Sequence, residues 1–248
     1  MNLLFSSDLH GLLKAYEQFS RLLRQHDFGV LAGDLRDPYV PQSEIAQMFS
    51  LTDDDFLDEL PSPDDSAEEI IAKATREYED PNGYLMKALR IKENEIKDIL
   101  KSAGKPVFFI PGNHDKTEWK SDGLVQNIDR RRVTFGKYNI VGYRYSNFDR
   151  RERDQKIDMV ELRKLVDRNT LLLTHGPPFG ILDLTNNKEH IGSKVLRRFI
   201  RRKKPYIHLF GHVHEAFGFV KKAVNGCYPD AKKYFSIELK TVLIRLID

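Results

Sequence analysis

Five short apolar runs along the chain each stop abruptly in polar residues. Leu3-Leu4-Phe5 gives way to Ser6-Ser7-Asp8-Leu9-His10-Gly11, and Phe28-Gly29-Val30-Leu31-Ala32 to Gly33-Asp34-Leu35-Arg36-Asp37-Pro38. Val107-Phe108-Phe109-Ile110 stops at Pro111-Gly112-Asn113-His114-Asp115. Thr170-Leu171-Leu172-Leu173 stops at Thr174-His175-Gly176-Pro177-Pro178, and Tyr206-Ile207-His208-Leu209-Phe210 at Gly211-His212-Val213-His214. Runs this short, closed by glycine and proline signals, predict buried strands. Between the first two, Leu12, Leu13, Tyr16, Phe19, Leu22 and Leu23 recur at helical spacing and predict a helix from about Leu12 to Gln25. Strand, helix and strand in so short a stretch predict a βαβ unit with parallel strands.

The stretch from Pro38 to Ser102 breaks this pattern and reads as a helical insertion in a single α/β domain over residues 1–248. Thr52 can cap a helix whose first turn, Asp53-Asp54-Asp55, suits the positive end of the helix dipole. Ser66 to Tyr78 reads as a second helix, set off by Pro61-Ser62-Pro63 and Pro81-Asn82-Gly83. Tyr84 to Ser102 is a third, with Leu85, Leu89, Ile96, Ile99 and Leu100 on its apolar side and Gly104 as its stop. Further on, Arg132 to Phe135 and Tyr138 to Gly142 read as a hairpin turning at Gly136-Lys137. Arg150-Arg151-Glu152-Arg153 reads as a basic loop, and a helix is expected from about Ile157 to Val166. Gly192 to Arg202 is another helix, with Val195, Leu196, Phe199 and Ile200 inside. Phe217 to Val220, Tyr234 to Ile237 and Thr241 to Ile247 show no helical period and read as antiparallel strands.

Composition narrows the class. A chain of 248 residues can bury one sizeable core. The net charge is only +3, but residues 38–102 hold 16 acidic and 7 basic residues, so the rest of the chain is strongly basic. The lone cysteine, Cys227, excludes an internal disulfide framework and points to a reducing compartment. The N-terminus does not read as a signal peptide, and no run approaches the roughly 18 apolar residues of a membrane span. The expectation is a cytoplasmic protein without a membrane partner.

Chemistry gathers at the strand ends. They present Asp8 and His10; Asp34; Asn113, His114 and Asp115; His175; and His212 and His214. Of eight histidines, only His26, His190 and His208 lie elsewhere. Each residue alone has a plain structural explanation: Asp8 as a helix cap, Asp34 as a turn residue, His175 as a loop histidine. Together those explanations require the same coincidence five times. Mixed oxygen and imidazole donors without a thiolate suit Mn, Fe, Zn or Ni. A carboxylate can bridge two such ions, which about 3.5–4 Å apart clamp the oxygens of an in-line phosphoryl displacement.

The blocks Asp-x-His, Gly-Asp-x-x-Asp, Gly-Asn-His-Asp, a strand-terminal His and Gly-His-x-His, in order from Asp8 to His214, resemble those of the calcineurin-like metallophosphoesterase superfamily. The stretches Leu173 to Gly180 and Leu209 to Gly218 look like its Icc-related branch and the metallophosphoesterase-domain brain proteins. The resemblance implies a four-layer αββα sandwich of two mixed β-sheets flanked by helices. It also implies a dinuclear centre. Asp8, His10 and His214 would hold one metal, Asn113, His175 and His212 the other, and Asp34 would bridge them. A metal-bridging water would be the nucleophile, His114 the general acid, and Asp115 the holder of its ring. The Asp34-to-Asn113 span is longer than usual, which the acidic insertion explains. Asn225-Gly226-Cys227-Tyr228-Pro229 replaces the usual Asn-Pro-Gly or Asn-Ala-Ser turn.

The implied function is metal-dependent hydrolysis of a small phosphoester, possible nucleotides included, with a phosphodiesterase favoured. A phosphomonoesterase, a nuclease and a non-catalytic metal-binding scaffold are the alternatives. Nucleic acid is not favoured: the basic face from Lys194 to Lys204 carries no interleaved aromatics and reads as solvated. Arg36 and His190 are weak candidates for substrate binding, with a solvated arginine and a surface histidine as the plainer expectations. His208 reads as a hydrogen-bonded structural residue, Asp37 as a brace for its loop and Cys227 as a small packed one. The oligomeric state is open.

Overall fold

Successive residues of a strand point to opposite faces, and here both faces are apolar. In β1 (Asn2–Ser6), β2 (Phe28–Ala32) and β3 (Val107–Ile110), the residues Leu3, Phe5, Val30, Ala32, Phe108 and Ile110 share one core. Leu4, Leu31, Val107 and Phe109 face a second core. Buried on both sides, such strands read as unbroken apolar runs, which is why the sequence displays them so plainly. The computed structural model describes residues 1–36, 40, 42–50, 84–115, 119–144 and 152–248.

The chain divides into two compact units, Met1–Asp37 with Ile96–Asp248, and Pro38–Glu95. In the first, β4 (Val125–Asn127), β5 (Arg132–Phe135), β6 (Tyr138–Tyr143) and β7 (Thr170–Thr174) follow β3. Then come β8 (Ile207–Phe210), β9 (Gly218–Val220), β10 (Ala223–Asn225), β11 (Tyr234–Glu238) and β12 (Leu243–Ile247). They form two mixed six-stranded sheets, ordered β12-β11-β1-β2-β3-β4 and β5-β6-β7-β8-β10-β9. The pairs β1·β2, β2·β3, β3·β4, β6·β7, β7·β8 and β8·β10 are parallel. Antiparallel strands close three of the four edges, the three tail strands pair antiparallel as expected, and β4 closes the fourth edge in parallel.

Helices cover the outer faces. The helix α1 (Leu13–Leu23) lays Tyr16, Phe19 and Leu23 on the first sheet. It begins one residue later than expected, so Leu12 is an exposed cap residue and not part of the apolar face. The helix α2 (Gln42–Phe49) packs Ile45 with Val40, Ala88 and Leu89 inside the second unit. The helix α3 (Tyr84–Lys101) continues into the first unit, where Ile96 and Leu100 join Phe109. On the second sheet, α4 (Glu152–Leu165) and α5 (Lys194–Lys203) cover Val141 and Leu172 with Met159, Leu162, Val195, Leu196 and Phe199. Full burial of one such side chain stabilises by about 1.5–3 kcal/mol. Ser193 caps α5 by accepting from the Leu196 amide at 3.0 Å.

Some expectations need correction. Glu152 and Arg153 belong to α4, not to a loop; the charged sequence that opens the helix carries no apolar period. The strands β4 and β10 and the one-turn helix α6 (Tyr228–Ala231) were not foreseen, because three or four residues are too few to show a period. The helices expected from Thr52 and over Ser66 to Tyr78 lie outside the described residues, as do Asp37, Arg150 and Arg151. Among the described residues no helix is long and apolar enough to cross a membrane.

Candidate metal centre

Because β1, β2 and β3 run parallel in one sheet and β7 and β8 run parallel in the other, their C-terminal ends deliver the polar loops together. Hydrogen bonds knit those loops across the sheets. The Asp8 amide donates to Gly33 O at 2.9 Å and the His10 amide to Asp34 O at 3.0 Å. His175 Nδ1 meets Ala32 O at 2.9 Å, and the His212 amide reaches the Asp8 carboxylate at 3.0 and 3.2 Å.

Seven of the expected ligands converge. On one side, His175 Nε2 lies 2.8 Å from Asn113 Oδ1, 3.2 Å from His212 Nδ1 and 3.4 Å from Asp34 Oδ2. On the other, His214 Nε2 lies 3.3 Å from His10 Nε2 and 3.5 Å from Asp8 Oδ1. Asp34 belongs to both sides: its ligand atoms group with His175 and His212, and also with Asp8 and His10. His114 stands at the rim with 44% of its side chain exposed and Nε2 3.9 Å from Asp34 Oδ2. Its amide donates to Asp34 Oδ1 at 2.9 Å, and its ring meets that of His10 edge-on.

This donor set fits a cation. With Nδ1 donating to Ala32 O, neutral His175 turns a lone pair towards Asn113 Oδ1 and Asp34 Oδ2, an assignment set by the first bond. Lone pairs facing one another at such distances repel unless a positive charge lies between them. The electrostatics agree. Burial alone would lower the His175 pKa, yet Asp34 and Asp8 raise it to about 9. Burial would also raise both carboxylates, yet both are lowered, Asp8 chiefly by its hydrogen bond with His214 and Asp34 chiefly by the charge of His175. His212 goes the other way, to about 4, through burial and the neighbouring His175. A field that draws a proton to His175 also draws a divalent cation, and the two compete.

The backbone is strained where the donors sit. Asp8, His10, Asp34 and His212 have φ of 57°, 45°, 47° and 78°, a region uncommon for residues other than glycine. Two glycines allow close approach: a Cβ on Gly112 would strike Asp34, and one on Gly211 would strike Ser7 and Asp8.

Several expectations change. Asp115 does not hold the His114 ring. Its buried carboxylate accepts from the amides of Gly112 at 2.8 Å, Leu35 at 3.1 and 3.2 Å and Arg36 at 3.3 Å. It therefore ties the Asp34 loop to the Asn113 loop. Arg36 is not solvated but 1% exposed, its guanidinium 5.9 Å from the ring centre of Trp119; a weakly hydrated planar cation stacks well on an aromatic face. His190 makes no contact with the seven ligands. Its Nδ1 meets Asp183 Oδ1 at 2.8 Å. Asp183, which the sequence did not single out, also accepts from Gly180 and Gly192 and braces the loop after His175. His208 is structural, with Nε2 2.8 Å from Thr174 Oγ1. Cys227 is buried as expected, but its Sγ lies 3.1 Å from Asp8 Oδ2 and groups with Asp8 and His214, so sulfur is present at the site after all.

Comparison with known proteins points the same way. The chain is 44% identical over 50 residues to human metallophosphoesterase domain-containing protein 1, and 43% identical over 49 residues to UPF0046 protein T07D4.2 of Caenorhabditis elegans. Each match covers 19% of this chain, and only 15% and 12% of those relatives. The fold is similar to that of TT1561 of Thermus thermophilus, with a TM-score of 0.62 at 15% identity over 100% of this chain and 98% of that one. The family model of the calcineurin-like phosphoesterases matches residues 1–216, strand ends and converging donors included, and the chain belongs to that family.

Proposed function

We propose that the protein is a metal-dependent phosphodiesterase acting on small phosphoesters, nucleotides among the candidates. The observation that carries this reading is the convergence of imidazole, amide and carboxylate donors around His175 Nε2 and Asp34. Asp8, His10 and His214 would hold one divalent ion (Mn, Fe, Zn or Ni) and Asn113, His175 and His212 a second, with Asp34 shared. When bound, such a pair supplies an acidified water and a clamp on the phosphoryl oxygens. His114 protonates the leaving oxygen from the rim, where its exposure lets it reach substrate. The hydrogen bond from its backbone amide to Asp34 Oδ1 holds it beside the shared carboxylate. Asp115 fixes both loops from beneath. On this reading the stretch from about 38 to 102 is a helical insertion in one phosphoesterase domain.

A diester is favoured over a monoester on charge. Among the described residues the ion-pair partners of Asp8 and Asp34 are histidines, with no lysine or arginine. Arg36 is buried beside Trp119. A monoester dianion asks for more positive charge than a diester monoanion.

The test is Mn-dependent hydrolysis of bis(p-nitrophenyl) phosphate against p-nitrophenyl phosphate, with Asp34→Ala as the blank. Diester cleavage that disappears in the variant is expected. Faster monoester cleavage would make the protein a phosphatase. Bound Mn without turnover of either would make it a scaffold.

A further inference from the structure

Asp8 is fully buried, and its two oxygens are treated unequally. Oδ2 receives the Cys227 thiol at 3.1 Å and the His212 amide at 3.0 Å, and the Ser7 oxygen lies 2.5 Å away, with Ala32 O at 3.0 Å as the longer alternative acceptor for its one proton. Oδ1 lies 3.2 Å from the same amide and turns to His214 Nε2 at 3.5 Å. A carboxylate oxygen offers about two lone-pair sites, so the hydroxyl, the thiol and the nearer limb of the forked amide occupy Oδ2 and leave Oδ1 facing the cluster.

The thiol is aimed by the backbone. Ser7 and Cys227 form a parallel bridge, with the Ser7 amide donating to Gly226 O at 2.9 Å and the Tyr228 amide to Ser7 O at 3.0 Å. The Cys227 amide donates to Asn225 Oδ1 at 3.1 Å, while Asn225 Nδ2 holds Val213 O at 2.8 Å. Asn225 thus ties the cysteine to the segment carrying His212 and His214. Gly211 seals the other side, where any side chain would strike Ser7 and Asp8.

We propose that Cys227 and Ser7 are positioning residues that engage Asp8 Oδ2, making Asp8 a one-oxygen ligand through Oδ1 for the ion shared with His10 and His214. The proposal rests on the metal-centre reading and adds its supporting layer. A thiol is a modest donor, but at a fully buried position no water competes with it.

The experiment is calorimetric titration with Mn2+ alone of the wild type, Cys227→Ala, Cys227→Ser and Ser7→Ala, with thermal unfolding of each metal-free form. Supporting groups of this kind affect metal affinity about 10- to 100-fold. Cys227→Ala and Ser7→Ala are expected to weaken one Mn2+ site by that factor and leave the other unchanged. Cys227→Ser, which restores a hydrogen-bond donor, is expected to bind like the wild type. If Cys227→Ala does not fold, Ser7→Ala and Cys227→Ser carry the test. Wild-type affinity in either alanine variant would overturn the proposal. So would equal loss in Cys227→Ser and Cys227→Ala, which would mean that sulfur itself is the ligand or the packing group. Failure of the wild type to bind Mn2+ would overturn the metal-centre reading instead, before any variant is compared.

Discussion

His175, just past the end of β7, and His208, within the neighbouring parallel strand β8, are both buried, and their chemistry runs in opposite directions. Within β8, burial alone lowers the His208 pKa to about 3. Thr174 takes its Nε2, and Nδ1 has no hydrogen-bond partner among the described residues. At the end of β7, Asp34 and Asp8 overcome the same burial and raise His175 to about 9. Burial by itself keeps an imidazole neutral. At the strand ends, where loops of both sheets bring carboxylates together, a buried histidine joins a group of side chains that could hold a cation.

The largest expected effect separates reaction from binding at that site. A positioned general acid contributes about 100- to 10,000-fold, so His114→Ala is expected to lose turnover by that factor while still binding Mn2+. Loss of Mn2+ binding as well would make His114 a ligand. The second effect concerns the competing proton. A metal needs neutral His175, which in the metal-free protein is protonated below about pH 9. Mn2+ affinity is therefore expected to rise with pH by about tenfold per unit towards that value. A flat profile between pH 7 and 9 would remove the contrast with His208.

The smallest effect lies on the other side of the comparison. His208 binds its proton less readily folded than unfolded, so its contribution to stability is intact above about pH 6.5 and declines as pH falls towards 3. The slope in that window is about 1.4 kcal/mol per pH unit. Urea unfolding of the metal-free protein is expected to show a shallower pH dependence for His208→Gln than for the wild type. Equal slopes would mean that His208 does not report burial.

Much of this was legible in the sequence, for identifiable reasons. Strands covered on both faces are apolar at almost every position, so five of the interior strands appeared as runs, and the donors appeared where the runs stopped. The strands β4 and β10 escaped notice because three residues with polar members, such as Val125-Gln126-Asn127, show no pattern. The opening turn of α4 escaped because it is charged.

The strands, the points where they end and the kinds of donor placed there can be read from the order of residues alone. These follow from side-chain solubility and periodicity, which are local. Tertiary structure decided which donors share one small space. It turned Asp115 onto backbone amides, laid Arg36 on Trp119, and brought Cys227 to Asp8 across 219 residues of chain. No local pattern encodes such contacts, because they depend on how two sheets pack and on what the loops between them must satisfy.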